Sequence, residues 1–267
     1  MKIDYQETTS DLLKRINIHD KYGTNDIDEW MLDLLSLKEN LRILDVACGA
    51  GKQCFSFYEE LEGKADITGV DVSEDLLKQA ESEKEKKGYQ DIQFRFMDFN
   101  KAFDLGDNQL DLVSCCFAIY YAEDIPFTIR EMHRVLKPGG KLFTTGPMPD
   151  NKQTFYDIIK EATGKSIPPM PGSSRYASEI LDAIEETFDH VEVEIFENPL
   201  IFKDADPFIE YTRASLSEDR KLWKDFFTGK EGFISIMEKI SSLAEKRIVN
   251  EGEIIMTKVV GGFIGTK

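Results

Sequence analysis

The stretch ILDVACGAGKQ, residues 43–53, limits the fold more than any other part of the chain. A short β-branched run enters a tight turn at Gly49 and Gly51 and leaves as a helix start. Glycine lacks a Cβ, so the backbone there can bend sharply and come close to a ligand, which then faces the positive end of the helix. The same cadence of short apolar run followed by amphipathic segment recurs along the chain, which predicts a parallel sheet wrapped by helices. The predicted strands are 41–47, 65–72, 92–99, the start of 109–121, and KLFTTGP after the Pro-Gly-Gly at 138–140. Two more follow, in VEVEIFENPLIF and in the terminal IIMTKVVGGFIGTK. The predicted helices include DIDEWMLDLLSL, the stretches after strands one, two and four, one near 154–163 and one over 178–188.

Three ligand classes use such a glycine turn, and local residues separate them. A P-loop would need glycine where Val46 stands and a hydroxyl where Gln53 stands. A dinucleotide fingerprint would want a third glycine at the position of Cys54. Both readings are weakened. An acid inside the turn, Asp45, repels pyrophosphate and suits a ligand carrying an ammonium group, reached directly or through water and backbone. Asp71, at the end of strand two, is placed for a ribose diol. Asp98, at the end of strand three, is placed for an adenine amine, with Phe99 beside it to pack on the base.

These segments, taken together, resemble the class I S-adenosylmethionine-dependent methyltransferases of the small-molecule branch. ILDVACGAG resembles their first motif, GVDVS the ribose-binding motif and FMDF the adenine-binding one. DLVSCCFAIYYAED and REMHRVLKPGGKLF resemble the strand-four block and the helix that runs into Pro-Gly-Gly and a strand. The resemblance covers roughly residues 40–147. It implies a Rossmann-like α/β fold with strand order 3-2-1-4-5-7-6 and the last strand antiparallel. It also implies S-adenosyl-L-methionine as cofactor, S-adenosyl-L-homocysteine as product and a small-molecule methyl acceptor.

Carried over residue by residue, the cofactor set is Tyr22, Asp45, Ala47, Gly49, Gly51, Asp71, Val72, Asp98, Phe99, Cys115 and Cys116. Tyr22 belongs to HDKYGTNDIDEW, which resembles the short aromatic lid of some relatives. Cys115 and Cys116 are expected to line the pocket through backbone atoms. Ala47 departs from the usual first glycine, a change that a negative φ would tolerate. Tyr120 and Tyr121 stand where many relatives have histidines. With His19 in the lid, they are the candidates for a catalytic base. A non-catalytic binding protein and a nicotinamide-dependent oxidoreductase remain as alternative readings.

The organisation expected is a single domain: lid helices over 1–40, a Rossmann-like core over 41–203, a helical cap over 204–250 and a final strand over 251–267. Phe208, Tyr211, Trp223, Phe226 and Phe227 of the cap either shape an apolar pocket or simply pack. With 50 acidic against 33 basic side chains, the net charge of −17 disfavours nucleic acid and anionic membranes as partners. No apolar run is long enough to span a bilayer. The N-terminal segment has no apolar signal region, and the four cysteines lack a disulfide framework or zinc-ligand spacing. The expectation is a cytoplasmic protein without a metal; nothing in the sequence points to an oligomeric state.

Overall fold

The computed structural model describes residues 9–218, 226–227 and 229–267. Trp223 of the expected cap lies outside the described residues. Helices α1 (Thr9–Tyr22) and α2 (Ile27–Leu35) precede the sheet. Then come β1 (Arg42–Val46), α3 (Lys52–Glu60), β2 (Asp66–Asp71), α4 (Glu74–Lys87), β3 (Ile92–Phe96) and β4 (Leu110–Cys116). A 3₁₀ turn (Ile119–Tyr121) leads into α5 (Ile125–Val135) and β5 (Leu136–Pro147). After α6 (Gln153–Thr163), α7 (Pro171–Arg175) passes through a π turn (Tyr176–Ile180) into α8 (Leu181–Thr187). The remaining elements are β6 (His190–Phe202), α9 (Ala205–Glu218), α10 (Gly229–Glu251) and β7 (Ile254–Thr266).

The seven strands form one sheet in the order β3-β2-β1-β4-β5-β7-β6, and only the pairings of β7 are antiparallel. This is the topology that the resemblance implies. The central strands are apolar on both faces because both faces are covered. Ile43, Ile67, Leu112 and Phe143 pack with Met31 and Leu35 of α2 and Phe57 of α3. Their neighbours Leu44, Val70, Val113 and Leu142 pack with Ile129 and Met132 of α5 and Ile184 of α8.

Two predicted boundaries move. The Pro-Gly-Gly does not separate helix from strand, because β5 already starts at Leu136 and runs through it. Gly139 takes φ +79°, and its N–H donates to the Lys267 carbonyl at 2.6 Å, so the glycines fasten the chain's last residue. The helix expected over 178–188 begins earlier, at Pro171, and contains the π turn. That extra residue of slack places Tyr176 inside the sheet layer, stacked on Phe263 at 4.4 Å. Its hydroxyl donates to the Thr144 carbonyl at 2.8 Å, and a Cβ on Gly146 would collide with its ring at 2.5 Å.

A third apolar cluster sits over the C-terminal edge of the sheet. Phe208 and Tyr211 of α9, Met237 and Ile240 of α10, Phe155 and Ile159 of α6, and Ile18 of α1 interlock there with the ends of β6 and β7. Residues 205–218 and 229–251 are thus helical, as the pattern predicts. Phe208, Tyr211 and Phe226 are buried and Phe227 packs against Phe233, so these aromatics are packing residues and do not line an open pocket.

The turn between α1 and α2 is fastened to β6 by the side chains of Asn198 and Asn25. The side-chain amide oxygen Oδ1 of Asn198 on β6 accepts from the Thr24 N–H at 2.8 Å and the Asn25 N–H at 3.1 Å. Gly23 bridges to Leu200 beside it, and a Cβ there would lie 2.6 Å from the Asn198 amide. Replacing Asn198 by Ala leaves two amides without their acceptor. We expect a loss of about 1–3 kcal/mol in urea unfolding, with faster amide exchange at Thr24 and Asn25 than elsewhere in the sheet.

Candidate cofactor and acceptor site

The glycine turn rises from the end of β1 and is suspended from β2. The Cys48 N–H donates to the Val70 carbonyl at 3.0 Å, and the Gly49 N–H donates to Asp71 Oδ2 at 2.9 Å. The other oxygen of Asp71 accepts from the Ser73 N–H at 2.8 Å. Asp71 therefore ties the glycine turn to the start of α4, so removing it would orphan two amides as well as any ligand contact. Each of its oxygens keeps acceptor capacity for a second hydrogen bond.

The two glycines of the turn have different tasks. Gly49 sits at φ +55° with no atom within 4 Å of where a Cβ would project, which is the open cradle a ligand needs. Gly51 sits at φ +86°, and a Cβ there would come within 2.8 Å of the Phe94 ring. The first is glycine for approach, the second for packing. Ala47 takes φ +59°, so the negative φ under which alanine would replace glycine without strain is not present. The turn needs a left-handed residue at that point even though its side chain is a methyl group, and the strain is held by the hydrogen bonds on either side.

Asp45 does not face the edge. With 2% exposure it lies under the turn, where Ser114 Oγ donates to one carboxylate oxygen and the Cys54 thiol to the other at 3.4 Å. A direct contact with a ligand ammonium is closed to it, which leaves the indirect route. Burial pushes its pKa up to about 6, assisted by the nearby charge of Asp71 and opposed by the two side-chain hydrogen bonds. Ser114, which the sequence reading did not single out, is the hydrogen-bond partner of that carboxylate. Only the pairing of Asp45 with Ser114 across β1 and β4 reveals it.

Asp98 accepts from the Asn100 N–H at 3.0 Å and lies 3.5 Å from Lys101. Burial pulls its pKa up, but these donors outweigh burial and hold it below the ordinary carboxylate value. Phe99 packs against the core layer, and its carbonyl accepts from Thr128. Val72 is 54% exposed at the end of β2, and Phe117 is 40% exposed just beyond β4. Phe117 also holds φ +57°, rare for a bulky side chain. It is a second residue that sequence reasoning passed over, because its strain is visible only in the backbone.

Cys115 is buried in the core, and its carbonyl accepts from Thr144 at 2.9 Å. Cys116 is half-buried at the strand end. Burial pushes both thiols up, so neither is a ready thiolate.

Tyr120 and Tyr121 lie in the 3₁₀ turn after β4, rings 4.7 Å apart, and the Tyr120 carbonyl accepts from Arg175 at 2.9 Å. Tyr22 stacks toward Phe202 at 5.2 Å, at the junction of lid and β6. His19 faces Tyr211 at 5.6 Å. Burial, with the charges of Lys258, Arg15, Lys152 and Lys52, holds the His19 pKa well below its ordinary value, so the ring is neutral at pH 7. Among the described residues no cluster of His, Cys, Asp and Glu has metal-binding geometry.

Known proteins share the fold. The chain is 33% identical over 130 residues to a demethylmenaquinone methyltransferase of Listeria welshimeri, covering 46% of this chain and 54% of that protein. It thus spans about half the length of the curated relatives it matches. A putative methyltransferase of Bacillus halodurans superposes with a TM-score of 0.58 at 21% identity, covering 91% of this chain and 99% of that one. A Haemonchus contortus phosphoethanolamine N-methyltransferase in complex with S-adenosyl-L-methionine gives 0.53 at 18% identity, over 95% of this chain and 56% of that one.

Two outcomes follow from the turn. The unfolded chain releases the Asp45 proton near the ordinary 3.8, whereas the folded chain holds it to about 6. Between those values the native state binds more protons, so stability falls as pH rises, by an amount on the order of 2–3 kcal/mol. In denaturant titrations from pH 4 to pH 6, Asp45→Asn should remove that decline. Gly51→Ala should cost roughly 2–4 kcal/mol, from left-handed strain plus the Phe94 collision. Gly49→Ala, with open space around it, should cost clearly less in the same assay.

A family profile described as a methyltransferase domain matches residues 37–186, more than half of the chain, and the chain belongs to that family.

Proposed function

We propose that the protein is an S-adenosyl-L-methionine-dependent methyltransferase that acts on a small-molecule nucleophile and yields S-adenosyl-L-homocysteine. The observation that carries this is the open cradle at Gly49 beside the Asp71 carboxylate, with Asp45 buried below. The first turn of α3 has no side-chain cap, so its N–H groups are available to a ligand carboxylate. Asp71 accepts from the ribose diol. Asp98 is placed for the adenine amine, and Val72, Phe99 and Phe117 supply the apolar edge on which a base can rest.

When bound, the cofactor supplies a sulfonium methyl group already activated toward in-line attack. The protein's part is alignment and exclusion of water, together with removal of a proton where the nucleophile carries one. His19, Tyr120 and Tyr121 stay candidates for the last task. His19 is neutral and so able to accept a proton, though burial makes it a weak base. The lid fastened by Asn198 is the element that closes over the acceptor. A small metabolite suits a chain with this net charge better than a nucleic acid does.

Isothermal titration with S-adenosylhomocysteine, with NAD as control, tests the reading. Binding of S-adenosylhomocysteine alone is expected, and it should tighten as pH rises through about 6, because ionised Asp45 favours the ligand's ammonium. Gly49→Ala should weaken that binding by about tenfold or more, since its methyl group enters the cradle. Binding of NAD without S-adenosylhomocysteine would overturn the proposal.

A further inference from the structure

Asn100 spends both ends of its amide on groups from different parts of the site. Its Nδ2 donates to Asp98 Oδ1 at 3.1 Å, and its backbone N–H donates to the same oxygen at 3.0 Å. Its own Oδ1 accepts from the Glu123 N–H at 2.7 Å, a residue 23 positions further along the chain. These partners fix which way round the amide sits. Turned over, it would set its oxygen against the carboxylate and its NH₂ against the Glu123 N–H, two repulsions in place of two bonds.

The loop that carries Asp98 is tied to its neighbours on both sides of that residue. The Met97 N–H donates to the Asp71 carbonyl at 3.1 Å, which continues the pairing of β2 and β3 one step beyond Phe96. The Phe99 carbonyl accepts from Thr128 Oγ1 of α5 at 3.2 Å. Those two bonds set the path of the backbone, and neither acts on the Asp98 side chain. The terminal torsion of an aspartate is broad, so a carboxylate keeps no single orientation without partners of its own. Asn100 supplies the two short bonds to it. The other neighbour, Lys101, stands 3.5 Å from Oδ2 with its side chain 75% exposed, where an ion pair contributes little.

The two carboxylate oxygens therefore differ. Oδ1 has both acceptor positions taken by Asn100, whereas Oδ2 has only the exposed lysine nearby. Burial pulls the carboxyl's pKa up, but the Asn100 bonds and Lys101 bring it below the ordinary value. At neutral pH the group is thus ionised and can only accept. An oriented oxygen that can only accept separates an amino group from a carbonyl at the same place, because the first donates to it and the second is repelled.

We propose that Asn100 is the positioning residue that makes the site select a 6-amino purine over a 6-oxo purine, by holding the Asp98 carboxylate with Oδ2 presented to the base. This rests on the methyltransferase reading above and adds the residue that sets its preference for adenine. Asn100 acts through Asp98 and does not itself touch the cofactor. Through Glu123 the same amide ties the loop to the turn that carries Tyr120 and Tyr121, so the base end and the acceptor end of the site share one fastening.

The test is calorimetric titration of the full chain with S-adenosylhomocysteine and with S-inosylhomocysteine, which has a carbonyl oxygen in place of the amine. The wild type should bind the first at least about fivefold more tightly. That is less than a sealed site achieves, because the Asp98 side chain is 24% exposed. Asn100→Ala should reduce this ratio by about threefold or more, chiefly through weaker binding of S-adenosylhomocysteine. Asn100→Asp keeps an acceptor for the Glu123 N–H but loses the side-chain donor and adds a like charge beside Asp98, so the ratio should fall there as well. Lys101→Met should keep the ratio within about twofold of the wild type.

A general loosening of the loop would weaken both ligands alike, so the ratio responds to the orientation of the carboxylate and not to stability. A fall of less than about threefold in Asn100→Ala overturns the proposal. Should that variant fail to fold, Asn100→Asp, which retains the bond to Glu123, carries the same criterion. A wild-type ratio below about fivefold, or a ratio lost in Lys101→Met, also overturns it. In each of these cases binding of S-adenosylhomocysteine by the wild type leaves the methyltransferase reading intact. No binding of S-adenosylhomocysteine by the wild type refutes that reading, and this proposal with it.

Discussion

The carboxylate of Asp71 is the contact on which the rest of the site depends. One oxygen holds the Gly49 amide and the other the Ser73 amide, so a single side chain joins the turn after β1 to the turn after β2. Backbone amides of a sharp turn must find acceptors or remain solvated, and a strand end offers few. Asp71 fills that need from the neighbouring strand and so fixes the width of the crevice between the two turns. The left-handed backbone at Ala47, Gly49 and Gly51 persists because these bonds over-determine it.

Beneath the turn, Asp45 adds a second constraint. A carboxyl group buried against Ser114 and Cys54 sits near the midpoint of its titration in mildly acidic solution. Its charge is therefore responsive to what lies above. A cation over the turn favours the ionised form and an anion the neutral form, so the turn discriminates by charge without direct contact. This is a physical reason for an acid at a place where a pyrophosphate-binding turn would exclude one.

The upper half of the molecule follows a different logic. Helices α1, α9 and α10 bury their apolar faces against each other and against the long β6–β7 ribbon, making a core separate from the two layers beside the central strands.

The amino-acid pattern by itself determined the sheet. Apolar runs of the right length alternating with amphipathic segments leave few other packings, and the glycine turn, Asp71 and Asp98 fall at or just past the ends of β1, β2 and β3 as their local spacing predicts. It also carried the helical character of 205–218 and 229–251, where the apolar stripe is periodic. What only the tertiary structure decided are the relations between distant segments. The partnership of Asp45 with Ser114, the burial of Cys115, the strain at Ala47 and Phe117, and the π turn that seats Tyr176 all depend on which strands lie side by side. The meeting of His19 with Tyr211, ring centroids 5.6 Å apart, is of the same kind. The two lie far apart in the chain on α1 and α9, and no periodicity records a meeting that only the packing of those helices brings about.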